Sequence, residues 1–474
     1  MATGPSNARA PVRSSRAVSA SSPRPGPTPL ARLVDVRPGE TAAALWAFAS
    51  FFLLLAGYYV LRSVREEMGI RGGVENLPWN FTATLAAMLV AVPIYSRLVA
   101  RVPRARAVPL VYRFFLVTLL AFWALLRLEA APAAVARALF VWVSVYGLFV
   151  VSVFWSLAAD LFTTDQAKRL FGFVAAGGSA GAIAGPAGVD LLVGLLGVPD
   201  LVLVAALLLE GATQSMGRIV GWSRRTGAGA RAAEGGGPPT GEPGGPLGGS
   251  AWSGVALVFG DRYLVAIAAQ MLLFTLGSTL LYFQVAHLLA ASGLDSTSRT
   301  RLFARVDLAV NVAALLTGAL ATGRLVARLG LGAALAVVPA LSAAGFALVA
   351  SWPSFWVLAA FQALRRAASY AVERPAREVL FTVVTREERY KSKAFVDTVV
   401  YRAGDAGSAW IARGLAAAGV GVAGSLLVAA PIGLVGVGLA VWLAREERAR
   451  EGRLLAEPPG ADGSRAGGAA GDRR

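Results

Sequence analysis

Residues 373–378 place four charged side chains in a stretch that otherwise has the composition of a membrane helix. The hexapeptide reads Glu373-Arg374-Pro375-Ala376-Arg377-Glu378. One charged side chain at the bilayer centre costs about 2.5–3.5 kcal/mol on insertion scales, so four facing lipid would oppose insertion by about 10 kcal/mol. The charges must therefore pair with one another or line a polar cavity in a helix bundle, which points to a polar solute crossing a membrane.

The composition of the whole chain indicates a multi-pass membrane protein. Mean hydropathy is +0.60 and 15% of residues are charged, against about 25% in soluble domains. Apolar runs of about 20 residues, long enough to span hydrocarbon, recur along the chain. Twelve spans are predicted, at residues 42–62, 77–96, 107–126, 133–161, 171–195, 199–220, 263–287, 302–325, 331–350, 354–380, 394–415 and 426–443.

Loops and tails divide the chain into two groups of six spans. Arginine-rich loops and tails favour a topology with both termini cytoplasmic. The composition then predicts five regions: a disordered cytoplasmic tail (1–40), an N-terminal six-helix bundle (41–222), a cytoplasmic linker (223–250), a C-terminal six-helix bundle (251–444) and a disordered cytoplasmic tail (445–474).

The two groups repeat short motifs in the same order. The pentapeptide at 97–101 recurs at 324–328, and Leu-Phe-Thr at 161–163 recurs at 380–382. The second match sets residues 154–159 against the charged hexapeptide and so places that hexapeptide at membrane depth. Two six-helix halves of like orientation are the layout of the major facilitator superfamily. The predicted fold class is an all-α membrane protein with twelve transmembrane helices in two pseudo-symmetric halves.

Span 1 ends in a polar stripe. Tyr58, Arg62, Arg65 and Glu66 lie at i, i+4, i+7 and i+8 and share one helix face. One interpretation is an anion site with aromatic support, because the planar guanidinium fork suits phosphate or carboxylate. The alternative is a helix end at which arginine reaches the outer interface.

Span 10 carries a second stripe. Arg366, Tyr370, Glu373 and Arg377 lie at i, i+4, i+7 and i+11, and Arg374 flanks them. Glu373 and Arg377 are spaced to form an ion pair. The stripe can line a cavity, or it can be a self-neutralising network that locks the helix to a neighbour.

Span 11 adds two buried acids. Asp397, Tyr401 and Asp405 share a face, and Arg402 lies three residues before Asp405. Acids within a membrane that pair with arginine are candidates for proton coupling or solute contact. A fixed Arg402–Asp405 bridge is the equal alternative.

The repeated arginine loops are interpreted as a cytoplasmic gate, in which arginine can pair with Asp160 or Asp165. The alternative is that these arginines only set the orientation of the spans in the membrane. The gate comprises Arg97, Arg101, Asp160, Arg324 and Arg328. Asp307, near the start of span 8, is expected at the outer interface.

Catalytic and metal chemistry have few residues to use. The chain has no cysteine and one histidine, and no nucleophile–base pair or metal cluster is evident. No enzymatic activity, cofactor or metal is expected. The net charge of +17 is attributed to tails and loops, so no nucleic-acid partner is expected.

Three stretches resemble the ATP/ADP translocase (nucleotide triphosphate/diphosphate exchange transporter) family, and more closely its bacterial relatives within the major facilitator superfamily. The resemblance implies a bacterial inner (cytoplasmic) membrane protein and ATP:ADP antiport. The stretches are residues 58–69, residues 154–172, and residues 370–407 with the charged hexapeptide at 373–378.

The family's charged positions are only partly kept. A basic residue near the end of helix 1 is matched by Arg65 or Arg62. The family's acid in helix 4 is replaced by Val143 or Ser144, and its lysine in helix 11 by Asp405. The acid of helix 7 falls among Tyr282, Phe283 and Gln284. The resemblance thus implies the transporter fold more firmly than strict nucleotide exchange.

The sequence therefore predicts a secondary active transporter that works by alternating access on a small anionic solute, as a monomer among membrane lipid. The resemblance makes ATP and ADP the candidate solutes. A lipid translocator and a non-transporting scaffold on the same fold are the alternatives. Solute contact is assigned to Arg62, Arg65, Tyr58, Arg366, Tyr370, Arg374 and Arg377, and charge coupling to Glu66, Glu373, Asp397, Arg402 and Asp405.

Overall fold

The first part of the chain forms six long helices. The computed structural model describes residues 35–227, apart from 38 and 103, and residues 253–456, apart from 321 and 353. The helices of the first range are α1 (Thr41–Arg71), α2 (Leu77–Arg101), α3 (Arg104–Arg127), α4 (Pro132–Leu161), α5 (Thr164–Leu196) and α6 (Val198–Thr226).

The second range follows the same plan after a short helix, Ser253–Gly260. Two of its helices contain a widened π-helical turn. Helix α10 runs through Phe355–Ala368, the π turn Ser369–Glu373 and Arg374–Leu380, and α11 runs through Arg386–Phe395, the π turn Val396–Val400 and Tyr401–Ala417. The others are α7 (Arg262–Ala291), α8 (Ser296–Leu320), α9 (Thr322–Ser351) and α12 (Val422–Ala456).

Nine helices in the described ranges are long and apolar enough to cross a membrane. They belong to α1–α7, α9 and α12, and the chain is therefore a multi-pass membrane protein. Helices α8, α10 and α11, which carry the charges discussed above, are not among these nine in the described part of the chain. The twelve-span count accordingly remains a prediction for these three helices.

Small residues let the helices approach closely, as the Gly177, Gly181 and Gly185 spacing predicts. A Cβ at Gly181 would lie 2.3 Å from the Phe52 carbonyl oxygen of α1. A Cβ at Gly185 would lie 2.6 Å from the next helical turn of α1. Helix α5 therefore packs its glycine face directly on the backbone of α1.

The two groups of helices contact each other along several helices. Within the first group, α1 packs with α4, α5 and α6, and within the second, α12 packs with α7 and α9. Between the groups, α5 contacts α8, α2 contacts α11, and α1 contacts α7 and α8. We call the end of the bundle where α1 begins the proximal end, and the end where α1 finishes the distal end. At the distal end one apolar cluster joins both groups, with Phe81 against Tyr282 and Phe283.

Ordered structure reaches into both predicted tails. Val36 is buried, and Glu40 accepts hydrogen bonds from Arg169 at 3.0 and 3.1 Å. Helix α12 continues to Ala456, so the tail predicted at 445–474 begins as helix. This extension is held because Arg450 donates two hydrogen bonds to Asp261, at 2.7 and 2.8 Å. Residues 1–34, 228–252 and 457–474, which include most of the predicted tails and linker, lie outside the described residues.

The Asp261–Arg450 contact makes stability depend on pH. Burial alone would raise the pKa of the Asp261 carboxyl, but hydrogen bonds from Arg450 and the Tyr263 N–H outweigh burial and lower that pKa. A lowered pKa gives stability that is present above the unfolded value of about 3.9 and is lost as pH falls below it. Asp261 also caps α7, so Asp261→Ala should cost about 0.5–2 kcal/mol at neutral pH.

Thermal unfolding in detergent at neutral and acidic pH measures this effect. The difference between wild type and Asp261→Ala should shrink on acidification. Arg450→Gln, which keeps the helix cap but removes the guanidinium, is the matched control and should lose less than Asp261→Ala. A difference that stays constant as pH falls would contradict the assignment.

Candidate functional site

The π turn of α10 separates its charges onto two faces. A π turn is wider than the 3.6-residue α turn, so residues four apart line up across it. One face presents Arg366, Tyr370 and Arg374, whereas Ser369, Glu373 and Arg377 follow the other. The single stripe predicted from regular helical spacing is therefore divided.

The first face meets α1 and α8 at Asp307. The Arg366 Nη1 donates to Asp307 Oδ1 at 2.6 Å, and Arg62 Nε lies 3.2 Å from Asp307 Oδ2. Tyr370 lies among the guanidinium groups of Arg62, Arg366 and Arg374. The Arg374 guanidinium carbon sits 4.8 Å from the centre of the Tyr370 ring. Arginines from α1 and α10 thus gather around one tyrosine.

Several guanidinium N–H groups in and beside this cluster make no aligned hydrogen bond. Arg62 Nε, Arg65 Nε and Arg366 Nη2 are buried and make no aligned hydrogen bond with the described residues. Arg374 forms no ion pair with a described residue and is exposed. Unpaired donors in a low-dielectric site favour an oxyanion strongly.

The second face of α10 is neutralised by its neighbours. Glu373 accepts from Ser369 at 2.9 Å and from Arg377 at 3.3 Å, which is the predicted ion pair. Arg377 Nη2 also lies 3.7 Å from Asp397 of α11. Arg377, assigned to solute contact from the sequence, is therefore occupied by two carboxylates.

The acids nearer the distal end are also paired. Arg402 Nη1 lies 3.2 Å from Asp405, which is the bridge given above as one of two equal alternatives, and Thr279 of α7 donates to Asp405 at 3.3 Å. Arg65 lies 3.6 Å from Glu66 and 4.4 Å from the centre of the Phe140 ring. The Thr279 contact joins α7 to α11, and the Phe140 contact joins α1 to α4, beside the arginine cluster.

The remaining predicted aromatic contact lies close to this cluster. Tyr58 packs edge-on against Tyr59 at 5.4 Å and fills the space over Gly147 of α4. Tyr59 in turn donates to Asn311 of α8 at 3.1 Å. Tyr58 thus lines the same side of α1 as Arg62.

Asp307 is where the sequence-based expectation was wrong. It was expected at the outer interface, but it is 3% exposed and bridges two arginines. Its position eleven residues after the first residue of α8 corresponds to about 16 Å along the helix, which is the signal that could have placed it within the bundle. Arg365 was also missed; it is buried and donates to Ser342, Ser278 and the Phe274 carbonyl.

Helix α8 makes several polar contacts between the two groups of helices. Arg299 donates to both oxygens of Glu67, at 2.6 and 2.8 Å, and Arg305 donates to Asp190 at 2.9 Å. Asn311 donates to the Ala182 carbonyl at 2.8 Å. These ties run from mid-helix to the distal end, where they reinforce the apolar cluster.

The predicted gate residues lie at the proximal end. Arg97, Arg101 and Arg328 are exposed. Asp165 pairs with Arg169 and Arg37 of its own half, rather than with the arginines of α2. Asp160 lies in the last turn of α4, and the side chain of Arg324 is outside the described part of the chain. The gate assignment stays a prediction.

No family model matches the chain, and no curated protein sequence matches it. Solved structures match it along most of its length. A bacterial homologue of the human lysosomal transporter Spinster, in an inward-facing and unoccupied conformation, is 13% identical with a TM-score of 0.53 and covers 90% of this chain and 100% of that one.

Two further matches are transporters of the POT family. One, in complex with 5-aminolevulinic acid, is 10% identical with a TM-score of 0.58 over 85% of this chain and 96% of that one. The other, in complex with a thioalcohol-conjugated peptide, is 10% identical with a TM-score of 0.57 over 86% of this chain and 96% of that one. The chain shares the overall fold of these three transporters. These matches do not support membership of the ATP/ADP translocase family.

The Glu67–Arg299 pair should contribute strongly to stability. Glu67 is fully buried, so Glu67→Gln leaves Arg299 without its carboxylate and should cost about 3–5 kcal/mol. Chemical unfolding in detergent measures the loss. Arg127→Gln is the control, because Arg127 is half exposed and pairs with Asp200 within the first half; it should cost at most about 1 kcal/mol. Equal small losses would show that the buried pair is dispensable.

Proposed function

We propose that the chain is a secondary transporter that moves a small anionic solute by alternating access. The observation that carries this proposal is the arginine cluster around Tyr370, in which buried N–H groups of Arg62 and Arg366 make no aligned hydrogen bond with the described residues. A purely structural network is expected to satisfy such donors, since an unsatisfied buried donor costs about 1–3 kcal/mol. The cluster joins α1 to α8 and α10, across the interface between the two groups of helices.

The charge of the whole constellation supports an anion. Six arginines face five carboxylates among these side chains, which leaves one net positive charge. The arginines are Arg62, Arg65, Arg366, Arg374, Arg377 and Arg402, and the carboxylates are Glu66, Asp307, Glu373, Asp397 and Asp405. A single carboxylate or phosphate group would neutralise that excess.

The distribution of contacts supports alternating access. Polar ties and an apolar cluster close the distal end between the two groups of helices. A transporter must alternately break and form such contacts at its two ends. If the proximal end is cytoplasmic, as the arginine-rich loops favour, this arrangement corresponds to a state closed on the outer side.

Counterflow in proteoliposomes tests the proposal. The purified chain is reconstituted and assayed with labelled inorganic phosphate, ATP, ADP and simple organic acids. We add 5-aminolevulinic acid and a dipeptide, because two structural neighbours were solved with such ligands. Saturable exchange of at least one anion supports transport, and nucleotide exchange specifically would extend it to ATP or ADP.

The alternatives give other results in the same vesicles. A lipid translocator would move a fluorescent phospholipid between leaflets without exchanging any soluble anion. A scaffold would do neither. Either result would overturn anion transport.

Arg374 should matter most for solute contact. Its guanidinium is exposed beside Tyr370 and has no carboxylate partner among the described residues, so Arg374→Gln removes a charge-assisted contact of about 1.5–3 kcal/mol. Uptake at low solute concentration should fall about tenfold or more. Arg413→Gln is the matched control, since Arg413 also lies over an aromatic ring, that of Trp410, but at the distal end. Equal effects of both substitutions would remove Arg374 from the site.

A further inference from the structure

We propose that Asp307 is an internal counter-anion that occupies the place between Arg62 and Arg366 which the transported anion takes. Binding of the solute then displaces Asp307 from Arg62 and releases one tie between the two groups of helices. This inference rests on the proposed anion transport and adds the step that couples binding to movement.

Asp307 is positioned to compete with a bound anion. Its carboxylate contacts Arg366 of α10 at 2.6 Å and Arg62 of α1 at 3.2 Å. Arg366 and Asp307 belong to the second group of helices, whereas Arg62 belongs to the first. The same carboxylate therefore neutralises two arginines and links the groups.

The fit of this carboxylate is incomplete. Although Asp307 Oδ2 lies close to Arg62 Nε, neither atom has an aligned hydrogen-bond partner among the described residues, and Arg366 Nη2 also lacks one. Asp307 is fixed to α8 through one methylene, so it cannot orient toward both guanidinium planes. A free oxyanion has no such tether and can align with donors on both arginines.

The position of Asp307 on α8 explains why its release matters. One turn further along, Asn311 binds Tyr59 of α1 and the Ala182 carbonyl of α5. Two turns earlier, Arg299 binds Glu67. Asp307 is thus one of several residues of α8 that contact the first group of helices. Its carboxylate is the group that a bound anion can replace. A ligand shifts a conformational equilibrium only by binding one state better, and this exchange of partners supplies such a difference.

Formate binding tests the inference without knowledge of the natural solute. Formate carries the same carboxylate group that Asp307→Ala removes. It is titrated into the purified protein while thermal unfolding is followed. The formate concentration that gives half of the stabilisation should be at least about tenfold lower for Asp307→Asn and Asp307→Ala than for wild type. Asp190→Asn is the matched control, because Asp190 also contacts two arginines of α8, Arg301 and Arg305; it should behave as wild type.

A second measurement keeps Asp307 intact. The chain has no cysteine, so spin labels at Glu75→Cys and Leu294→Cys report the separation of the two groups at the distal end. Saturating formate should shift the distribution of distances between the two spin labels toward longer values. Equal formate midpoints in all variants, together with an unchanged label separation, would overturn the role of Asp307.

The two hypotheses fail in different ways. If counterflow detects anion exchange but formate affinity does not depend on Asp307, the transport proposal stands and the counter-anion role is wrong. If formate affinity rises in the Asp307 variants but no anion is exchanged, the arginines form an anion site that does not serve transport, which overturns both proposals.

Discussion

An ionised side chain inside a bilayer has to find its counter-charge within the protein, and this requirement organises the molecule. Three helices, α8, α10 and α11, carry ion-paired side chains within the bundle. Each packs against apolar helices such as α1, α5 and α7. The charged helices are accommodated because their side chains pair with one another and with the polar end of α1, so the pairing pattern decides which helices are neighbours.

The way these pairs are completed separates structural from functional roles. Glu373, Arg377 and Asp397 neutralise one another, and so do Arg402 and Asp405. Around Tyr370 the charges are not balanced, because arginines outnumber acids. Several N–H groups there make no aligned hydrogen bond with the described residues. Desolvating unsatisfied donors is unfavourable, so a site of this kind is maintained at a cost to stability. Under the proposed function, the same imbalance gives the site its affinity for an oxyanion.

The sequence was sufficient for the fold type and for ion pairs within one helix. Hydropathy predicted the helices, and residue spacing predicted Glu373–Arg377 and Arg402–Asp405. Contacts between distant segments could not be predicted from the sequence. For example, no sequence pattern links Glu67 to Arg299, 232 residues away. The depth of Asp307 was misjudged because span 8 was predicted to begin at residue 302, whereas α8 begins at Ser296. The two faces of α10 were missed because regular helical spacing was assumed across a π turn.

The π turn of α10 has a consequence for how this protein can change over evolutionary time. A π turn holds one residue more than an α turn, so it behaves as an insertion accommodated within a continuous helix. The packing of Phe355–Ala368 and the direction of Arg374–Leu380 are therefore set separately. Loss of a single residue there would turn the second segment by about 100° and exchange which charges face α1. Under the proposed function, a one-residue length change in α10 would therefore alter the solute contacts while the surrounding helices keep their places.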